Sequence, residues 1–227
     1  IAMALVTSLG TVMMPRIANL FKQNQLEQVR EHLLKSFRFV FFLSFPMMFG
    51  LMAISCNLVP WFFGSGYDKV VPNMMVISPI LVIIALSNIM GTQYLLPIGR
   101  QKEYTFSVVV GCVVNFSMNI LLIPHFLSIG AAIATVIAES SVTGVQIYCI
   151  RKDFDFGHIM KENIHYVISA FFMFVLTSFL ARFLRPSIIS TFVCVVVGAS
   201  IYLGILAIMK DDMFFQGRKM LGSRFIK

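Results

Sequence analysis

Residues 128–150 constrain the fold more than any other part of the chain, because they form an apolar run long enough to cross a bilayer. A helix needs about 20 predominantly apolar residues to span the hydrocarbon core. This segment contains one side chain that is charged at neutral pH, Glu139, close to its middle. A charged side chain at the bilayer centre costs roughly 2.5–3.5 kcal/mol on insertion scales. We therefore expect a cavity, an oppositely charged partner or a bound proton to offset the cost of Glu139.

Composition places the rest of the chain in the same environment. Hydrophobic residues make up 58% of the 227 residues and charged residues 12%, with a mean hydropathy of +0.86, whereas soluble domains carry about 25% charged residues. We predict an all-α, polytopic membrane protein with about seven transmembrane helices. The predicted spans are residues 1–14, 37–59, 72–96, 104–123, 128–150, 164–184 and 188–209. Since Ile1 already lies inside an apolar run, we expect a fragment whose N-terminal part is missing and whose first span is truncated.

Residues 20–35 are too polar to span. Leu26, Val29 and Leu33 fall on one helical stripe, with glutamines, glutamates and an arginine around them. This pattern is typical of an amphipathic helix that lies along the membrane surface. We predict such a helix between the first and second spans.

The distribution of positive charge predicts an orientation. All but three of the 18 lysines and arginines lie in alternate loops or in the tail, the exceptions being Lys69, Arg182 and Arg185. Cytoplasmic loops carry the excess of Lys and Arg in membrane proteins, so we place the loaded loops and the C-terminus in the cytoplasm. The net charge of +8 does not indicate nucleic-acid binding, because the basic residues lie in separate short loops rather than in one patch.

Polar side chains recur within the third, fourth and fifth spans. They include Gln93, the pair Asn115 and Asn119 one turn apart, and Glu139. Lipid tails cannot satisfy these groups, so we expect them to face one another or a water-filled cavity. One hypothesis is a substrate cavity, with Glu139 as a coupling-ion or proton site. The alternative is structural, with interhelical hydrogen bonds of about 0.6 kcal/mol each and an ion pair between Glu139 and an Arg or Lys.

Small residues recur on another face of the fifth span. Gly130, Ala134 and Ala138 follow one another at intervals of four residues. Small residues at this spacing let two membrane helices approach closely. We therefore predict that this face packs against a neighbouring helix.

The chain shows no catalytic or metal-binding pattern. Its four cysteines are scattered through apolar segments with no His nearby, so we predict buried thiols, no disulfide and no metal site. Neither a Ser/His/Asp arrangement nor a pair of outer carboxylates occurs. We therefore predict that the protein is not an enzyme and has no catalytic residues and no cofactor.

An ordered set of short motifs carries a family resemblance. The motifs are VMMPRIANLF from residue 12, FPMMFG from residue 45, YLLPIGRQKEYT from residue 94, NFSMNILLIP from residue 115 and IGAAIATVIAE from residue 129. Together they resemble the polysaccharide repeat-unit flippases, of the O-antigen, capsule (Wzx-type) and teichoic-acid kinds, in the multidrug/oligosaccharidyl-lipid/polysaccharide exporter superfamily. The resemblance covers residues 12–153, and the last two spans match only in hydropathy.

The resemblance implies a transporter of two six-helix lobes around a cavity that opens alternately to each side of a bacterial plasma membrane. Residues 1–153 would form the C-terminal lobe, 154–209 two additional helices and 210–227 a basic cytoplasmic tail. The missing N-terminal lobe would be the partner of this chain. The implied cargo is a lipid-diphosphate-linked oligosaccharide that moves from the inner to the outer leaflet, with Arg16 and Arg100 as candidate contacts to the diphosphate.

Three other functions stay open at this level. A cation-coupled drug or metabolite antiporter of the same superfamily would depend on Glu139 more than on arginines. A membrane-embedded sugar-lipid polymerase would need an outer domain, and the outer loops of this chain are short. A scaffold that transports nothing would need neither feature.

Overall fold

The computed structural model describes residues 13–64, 66–211, 213 and 215. Over these residues the chain is a bundle of helices without a strand, as predicted. The helices are residues 13–22 (α1), Leu26–Phe62 (α2), Val70–Ile77 (α3), Ile80–Asn88 (α4), a π-helix at Ile89–Leu95, Gln101–Ile150 (α5), Phe156–Phe183 (α6) and Ile188–Ile208 (α7). Five stretches of the described residues are long and apolar enough to cross a membrane, and α3, α4 and the π-helix together make one of them.

Helix α5 contains two crossings. Its 50 residues would extend about 75 Å at 1.5 Å per residue, far more than a hydrocarbon core of about 30 Å. The backbone leaves helical geometry at Leu127, where φ is 52° and ψ is −126°. Beyond Leu127 the second arm returns along the first, so that Gln146 Nε2 lies 3.2 Å from Ser107 Oγ. The two arms are the predicted fourth and fifth spans; the predicted first span lies almost entirely outside the described residues.

The turn between the two arms requires a glycine at position 130. A β-carbon on Gly130 would lie 2.3 Å from the carbonyl oxygen of Leu122, a backbone atom that cannot rotate away. Ala134 and Ala138, on the same face, are buried. The predicted stripe of small residues therefore does pack closely, and its partner is the other arm of the same hairpin.

The prediction of a separate surface helix at residues 20–35 is wrong. Helix α1 ends at residue 22, the chain turns at Asn24 with φ 56°, and α2 then runs without interruption from Leu26 into the second span. Val29 and Leu33 are buried in the bundle. A helix of 37 residues is about 55 Å long, so its first turns extend beyond the hydrocarbon core. The apolar stripe is thus explained by packing against neighbouring helices.

Helices α6 and α7 start at side-chain caps. The Asp155 carboxylate accepts a hydrogen bond from the His158 backbone N–H at 3.2 Å, and Ser187 Oγ accepts one from the Ser190 backbone N–H at 3.1 Å. Such caps satisfy backbone donors that a helix leaves open at its first turn. They fix where the last two crossings begin.

Aromatic side chains join α6 and α7 to α2. The Phe42 ring centroid lies 5.9 Å from that of Tyr166 and 6.0 Å from that of Tyr202. The Tyr202 hydroxyl donates to the Phe42 carbonyl at 2.8 Å, and the Tyr166 hydroxyl donates to Asp211 at 2.7 Å. Helices α6 and α7 are therefore part of the packed bundle.

Contacts between distant residues define two ends of the bundle. At one, which we call the basic end, the Arg100 guanidinium binds the Asp153 carboxylate, so the loops before and after α5 lie together. At the other, the Trp61 indole N–H donates to Thr191 Oγ1 at 2.8 Å. The loops loaded with Lys and Arg at residues 100–102 and 151–152 thus share one end, in agreement with the alternation predicted from the sequence.

Candidate functional site

A polar pocket of about 560 Å³ lies between α4 and the two arms of α5. Its volume falls in the range of roughly 300–1,000 Å³ that is usual for ligand sites. The polar side chains that line it are Ser87, Tyr104, Asn115, Asn119, Glu139 and Gln146. Three of the six residues predicted from the sequence as site residues meet here: Asn115, Asn119 and Glu139.

Glu139 lies halfway along the second arm of α5 and is half-buried. Its carboxylate forms no salt bridge with any residue that the structure describes. The ion pair with an Arg or Lys, which was one of the two alternatives for this residue, is therefore not formed within residues 13–64 and 66–211. Glu139 instead lines a pocket whose wall combines the polar side chains named above with Val108, Phe116 and Val142.

Asn115 and Asn119 bond to each other along the first arm. Asn119 Nδ2 donates to the backbone oxygen of Asn115 and to its Oδ1, both at 2.9 Å. The alternative derived from the sequence was hydrogen bonding between helices, and this pair bonds within one helix. Asn119 Oδ1 and Asn115 Nδ2 take no part in the pair, so an acceptor and a donor stay available at the pocket wall.

Gln93 does not line this pocket. It lies in the π-helix with 1% of its surface exposed, and its Nε2 donates to Asn88 Oδ1 at 3.3 Å. Its amide oxygen is buried without a hydrogen-bond partner among the described residues. Gln93 is therefore part of the packing of the third span.

The two predicted arginines lie away from the pocket as well. Arg16 is exposed on α1. Arg100 donates from Nε to Glu103 at 2.8 Å, from Nη2 to the Cys149 carbonyl at 2.8 Å, and also binds the Asp153 carboxylate. Hydrogen bonds to Glu103, followed by those to Asp153, raise the pKa of the Arg100 guanidinium above its ordinary value despite some burial. The charge of Arg100 is thus already paired with two carboxylates.

Three polar residues of the pocket were not predicted as site residues from the sequence: Ser87, Tyr104 and Gln146. Gln146 follows Glu139 by seven residues, which is two turns of a helix and hence the same face. This spacing was available in the sequence and could have identified Gln146. Tyr104 gave no comparable signal, because its position depends on how the two arms of α5 pack.

The cysteines are free thiols, and their burial differs from the prediction. Cys194 is buried, Cys149 is half-buried, and Cys56 and Cys112 are exposed. Cys112 lines the polar pocket. Apolar spans expose one face to lipid, so a cysteine in such a span need not be buried. In the described part of the chain no group of three His, Cys, Asp or Glu side chains could hold a metal ion.

An apolar groove of about 380 Å³ lies on another side of the bundle, between α2, α6 and α7. Side chains of Leu43, Met47, Met173 and Leu203 line it, and Gly198 widens it. The bundle therefore offers two kinds of surface, one polar and one apolar, on different helices.

A family model and a solved structure match most of this chain. A family model described as "Lipid II flippase MurJ" matches residues 3–198, which include α6 and about half of α7. The fold resembles that of a solved structure, "Lipid II flippase MurJ, inward closed conformation", with a TM-score of 0.78 and 18% identity over 93% of this chain and 45% of that one.

Three curated relatives match parts of the chain. An uncharacterized membrane protein of Methanocaldococcus jannaschii is 26% identical over 86% of this chain and 38% of its own length. A putative O-antigen transporter of Escherichia coli K12 is 32% identical over 40% of this chain and 22% of its own length. Lipid II flippase MurJ of Bacillus subtilis 168 is 25% identical over 60% of this chain and 25% of its own length.

The chain thus spans less than half the length of each protein that it matches. The resemblance seen in the sequence motifs, to flippases of the exporter superfamily, is confirmed by these matches. With the family model matching residues 3–198 of a multi-pass helical bundle, the chain belongs to the family of the lipid II flippase MurJ.

Proposed function

We propose that the full-length protein flips a lipid-diphosphate-linked oligosaccharide repeat unit from the inner to the outer leaflet of a bacterial plasma membrane, for surface polysaccharide synthesis. The observation that carries the proposal is the polar pocket around Glu139, halfway along a membrane-spanning arm. A sugar headgroup needs such a polar path through hydrocarbon. Membership of the MurJ family and the match to an O-antigen transporter support a lipid-linked cargo.

The two surfaces of the bundle suit the two parts of such a cargo. Amide and hydroxyl groups at the pocket can hydrogen-bond the hydroxyls of a sugar headgroup. The apolar groove between α2, α6 and α7 offers hydrocarbon contacts to a lipid tail. The missing N-terminal lobe would close the pocket from the opposite side, and rocking of the two lobes would open it to each leaflet in turn.

Glu139 would couple this motion to a proton or to a cation. Among the residues that the structure describes, it is the one carboxylate that lines the pocket, and the Asn119 amide oxygen adds an acceptor at the same wall. Binding of a positive charge would remove the cost of burying the carboxylate when the pocket closes. A site that is charged when open and neutral when closed can bias the two states of a transporter.

The diphosphate would be contacted by Arg16 and by cations of the missing lobe. Arg16 is exposed, whereas Arg100 is already held by Glu103 and Asp153. Our proposal therefore keeps Arg16 as a contact to the cargo and gives Arg100 a structural part. The positive-inside rule places the basic end, together with the C-terminus, in the cytoplasm.

The test is reconstitution of the full-length protein in liposomes that contain a fluorescent lipid-linked oligosaccharide in both leaflets. Reduction of the accessible dye in the outer leaflet then gives the rate at which labelled lipid arrives. We expect Glu139→Gln to slow this rate roughly tenfold, equivalent to about 1.4 kcal/mol, and to abolish its dependence on pH. Ser140→Ala is the matched control, because Ser140 is exposed and bonds only to the Val136 carbonyl of its own helix.

The antiporter and polymerase alternatives predict different results in this assay. A wild-type protein that moves no sugar lipid but exchanges a cationic drug for protons is an antiporter, and the proposal then fails. Elongation of the sugar chain in the liposomes indicates a polymerase. Equal flipping by the wild type and Glu139→Gln at every pH removes Glu139 from the coupling step while leaving the cargo assignment intact.

A further inference from the structure

Gln146 occupies the end of the polar pocket nearest the basic end of the bundle. It follows Glu139 by seven residues on the same helix face, about 10 Å along the axis. Its side chain is fully buried in the chain, with 0% of its surface exposed, yet it lines the pocket together with Ser87 and Tyr104. A buried amide at this position therefore lies between Glu139 and the basic end.

The orientation of this amide is fixed by Ser107. The Ser107 hydroxyl donates its single proton to the Tyr104 carbonyl at 2.6 Å. At its other contact Ser107 Oγ must accept, and the donor is Gln146 Nε2 at 3.2 Å. The amide oxygen Oε1 is therefore turned away from Ser107, and it is buried without a hydrogen-bond partner among the described residues. A buried acceptor in this state costs about 1–3 kcal/mol, which favours a ligand supplied from the pocket.

The π-helix holds the amide in place. A β-carbon on Gly91 would lie 2.7 Å from Tyr104 Cε2 and 3.0 Å from Gln146 Nε2. The bare backbone of Gly91 thus lets the Tyr104 ring and the Gln146 amide pack directly against the third span. Segments of π-helix inside α-helices are frequent at functional sites. Three elements, the π-helix and both arms of α5, combine to position one unpartnered oxygen.

We propose that Gln146 is a positioning residue for coupling at Glu139, and that its Oε1 holds a small monovalent cation with its water as it passes between Glu139 and the basic end. This inference rests on the proposed coupling role of Glu139. The ligand class follows from the atoms: Oε1 only accepts hydrogen bonds, and the single charge at the pocket wall is negative. Both features select a hydrated cation over an anion.

A thiol inside the pocket can report whether a cation reaches it from the basic end. Cys112 is such a thiol, because it lines the same pocket. The experiment uses the full-length protein in membrane vesicles with the basic end facing outward, Cys112 being its single cysteine. In this chain that requires replacement of Cys56, Cys149 and Cys194 by alanine. Ag⁺, a small monovalent cation that reacts with thiols, is added, and the thiol that remains is titrated with a fluorescent maleimide after denaturation.

We expect Cys112 to react with Ag⁺, and Gln146→Leu and Gln146→Ile to slow the reaction about tenfold, equivalent to about 1.4 kcal/mol. Gln146→Glu keeps an acceptor oxygen and adds a negative charge but cannot donate to Ser107, so its Cys112 should react with Ag⁺ at least as fast as in the protein with Gln146. If Gln146 were purely structural, Gln146→Glu would instead behave like the two apolar variants, because all three lose the donor to Ser107. Ser140→Leu, on an exposed face of the same arm, should have no effect.

Three results overturn the inference: no reaction of Cys112 in the protein with Gln146 intact, wild-type rates in both apolar variants, or a Gln146→Glu variant as slow as the apolar ones. The first and third need no apolar variant to fold. The Ag⁺ reaction is measured without cargo. A protein that shows this path but flips no sugar lipid would refute the proposed function alone, and one that flips the lipid without the path would refute only the role of Gln146.

Discussion

Replacement of Arg100 by alanine is expected to destabilise the bundle rather than to remove a contact to cargo. The guanidinium joins the start of α5 to its end, through the Cys149 carbonyl in the last turn and the Asp153 carboxylate in the loop that follows, and it also binds Glu103 in the first turn of α5. Alanine would leave both carboxylates and the carbonyl without this donor. The two arms of α5 would then lose their connection at the basic end.

The magnitude follows from geometry and exposure. Hydrogen bonds to charged groups contribute about 1.5–3 kcal/mol when buried, but the side chains of Arg100, Glu103 and Asp153 are 29%, 36% and 33% exposed. Screening by solvent reduces the contribution of each such ion pair to the free energy of unfolding to about 0.2–1 kcal/mol. A bidentate pair between arginine and a carboxylate lies at the upper limit of this range. The three partners together therefore amount to about 2 kcal/mol. This corresponds to a melting temperature lower by about 4–8 °C for a cooperative unit of this size.

The assay is the thermal melt of the full-length protein in detergent, compared with the flipping rate in liposomes. Arg100→Lys keeps the charge but loses the planar fork, so it should lie between the wild type and alanine. Lys102→Ala is the matched control, because it removes the same charge from an exposed neighbour. Since the pKa of Arg100 is raised above its ordinary value, the guanidinium stays charged at every pH of the assay. Titration of Arg100 should therefore not make the loss of stability in Arg100→Ala depend on pH.

One result would refute this reasoning. If Arg100→Ala melts like the wild type but flips no sugar lipid, Arg100 contacts the cargo and the ion pairs seen here contribute nothing. A double-mutant cycle with Asp153→Asn gives a second check, because contacting residues couple by about 0.5–3 kcal/mol. Strict additivity of the two changes would mean that the pair is not formed in the membrane.

Two further substitutions test the packing. Gly130→Ala should lower the free energy of unfolding by about 1–3 kcal/mol, the usual range for overpacking, since its β-carbon would lie 2.3 Å from the Leu122 carbonyl oxygen; an unchanged melt would contradict the hairpin geometry. Tyr202→Phe removes the hydrogen bond to the Phe42 carbonyl at 2.8 Å and should cost about 0.5–1.5 kcal/mol in the same melt. Full stability of Tyr202→Phe would show that α7 is not held to α2 in this way.

The comparison of sequence and structure separates two kinds of prediction. The crossings at residues 104–123 and 128–150 were found from hydropathy, even though they form one long α5 with a break at Leu127. The helix predicted at residues 20–35 was wrong, since its pattern also fits the first turns of a longer helix. Periodicity reports which face of a helix is apolar, and it does not report whether lipid or another helix covers that face.

The site was predicted in part for the same reason. Asn115 and Asn119 lie one turn apart on the first arm of α5, and Glu139 lies on the second arm. The structure places all three in one pocket. Gln93 and Arg100 have the same polar character, but their partners, Asn88 in one case and Asp153 in the other, place them elsewhere. Whether a polar side chain lines a cavity depends on contacts across the fold.

By itself the sequence determined that the chain is helical, that it crosses a membrane repeatedly, and that its basic loops lie at one end. These properties are local, because each span satisfies its own backbone hydrogen bonds in lipid and each loop carries its own charge. Only the tertiary structure decided that Tyr104 lines the pocket, that Arg100 is bound by carboxylates, and that α2, α6 and α7 enclose an apolar groove. Those outcomes depend on distances between residues that are far apart in the chain, which hydropathy and spacing do not encode.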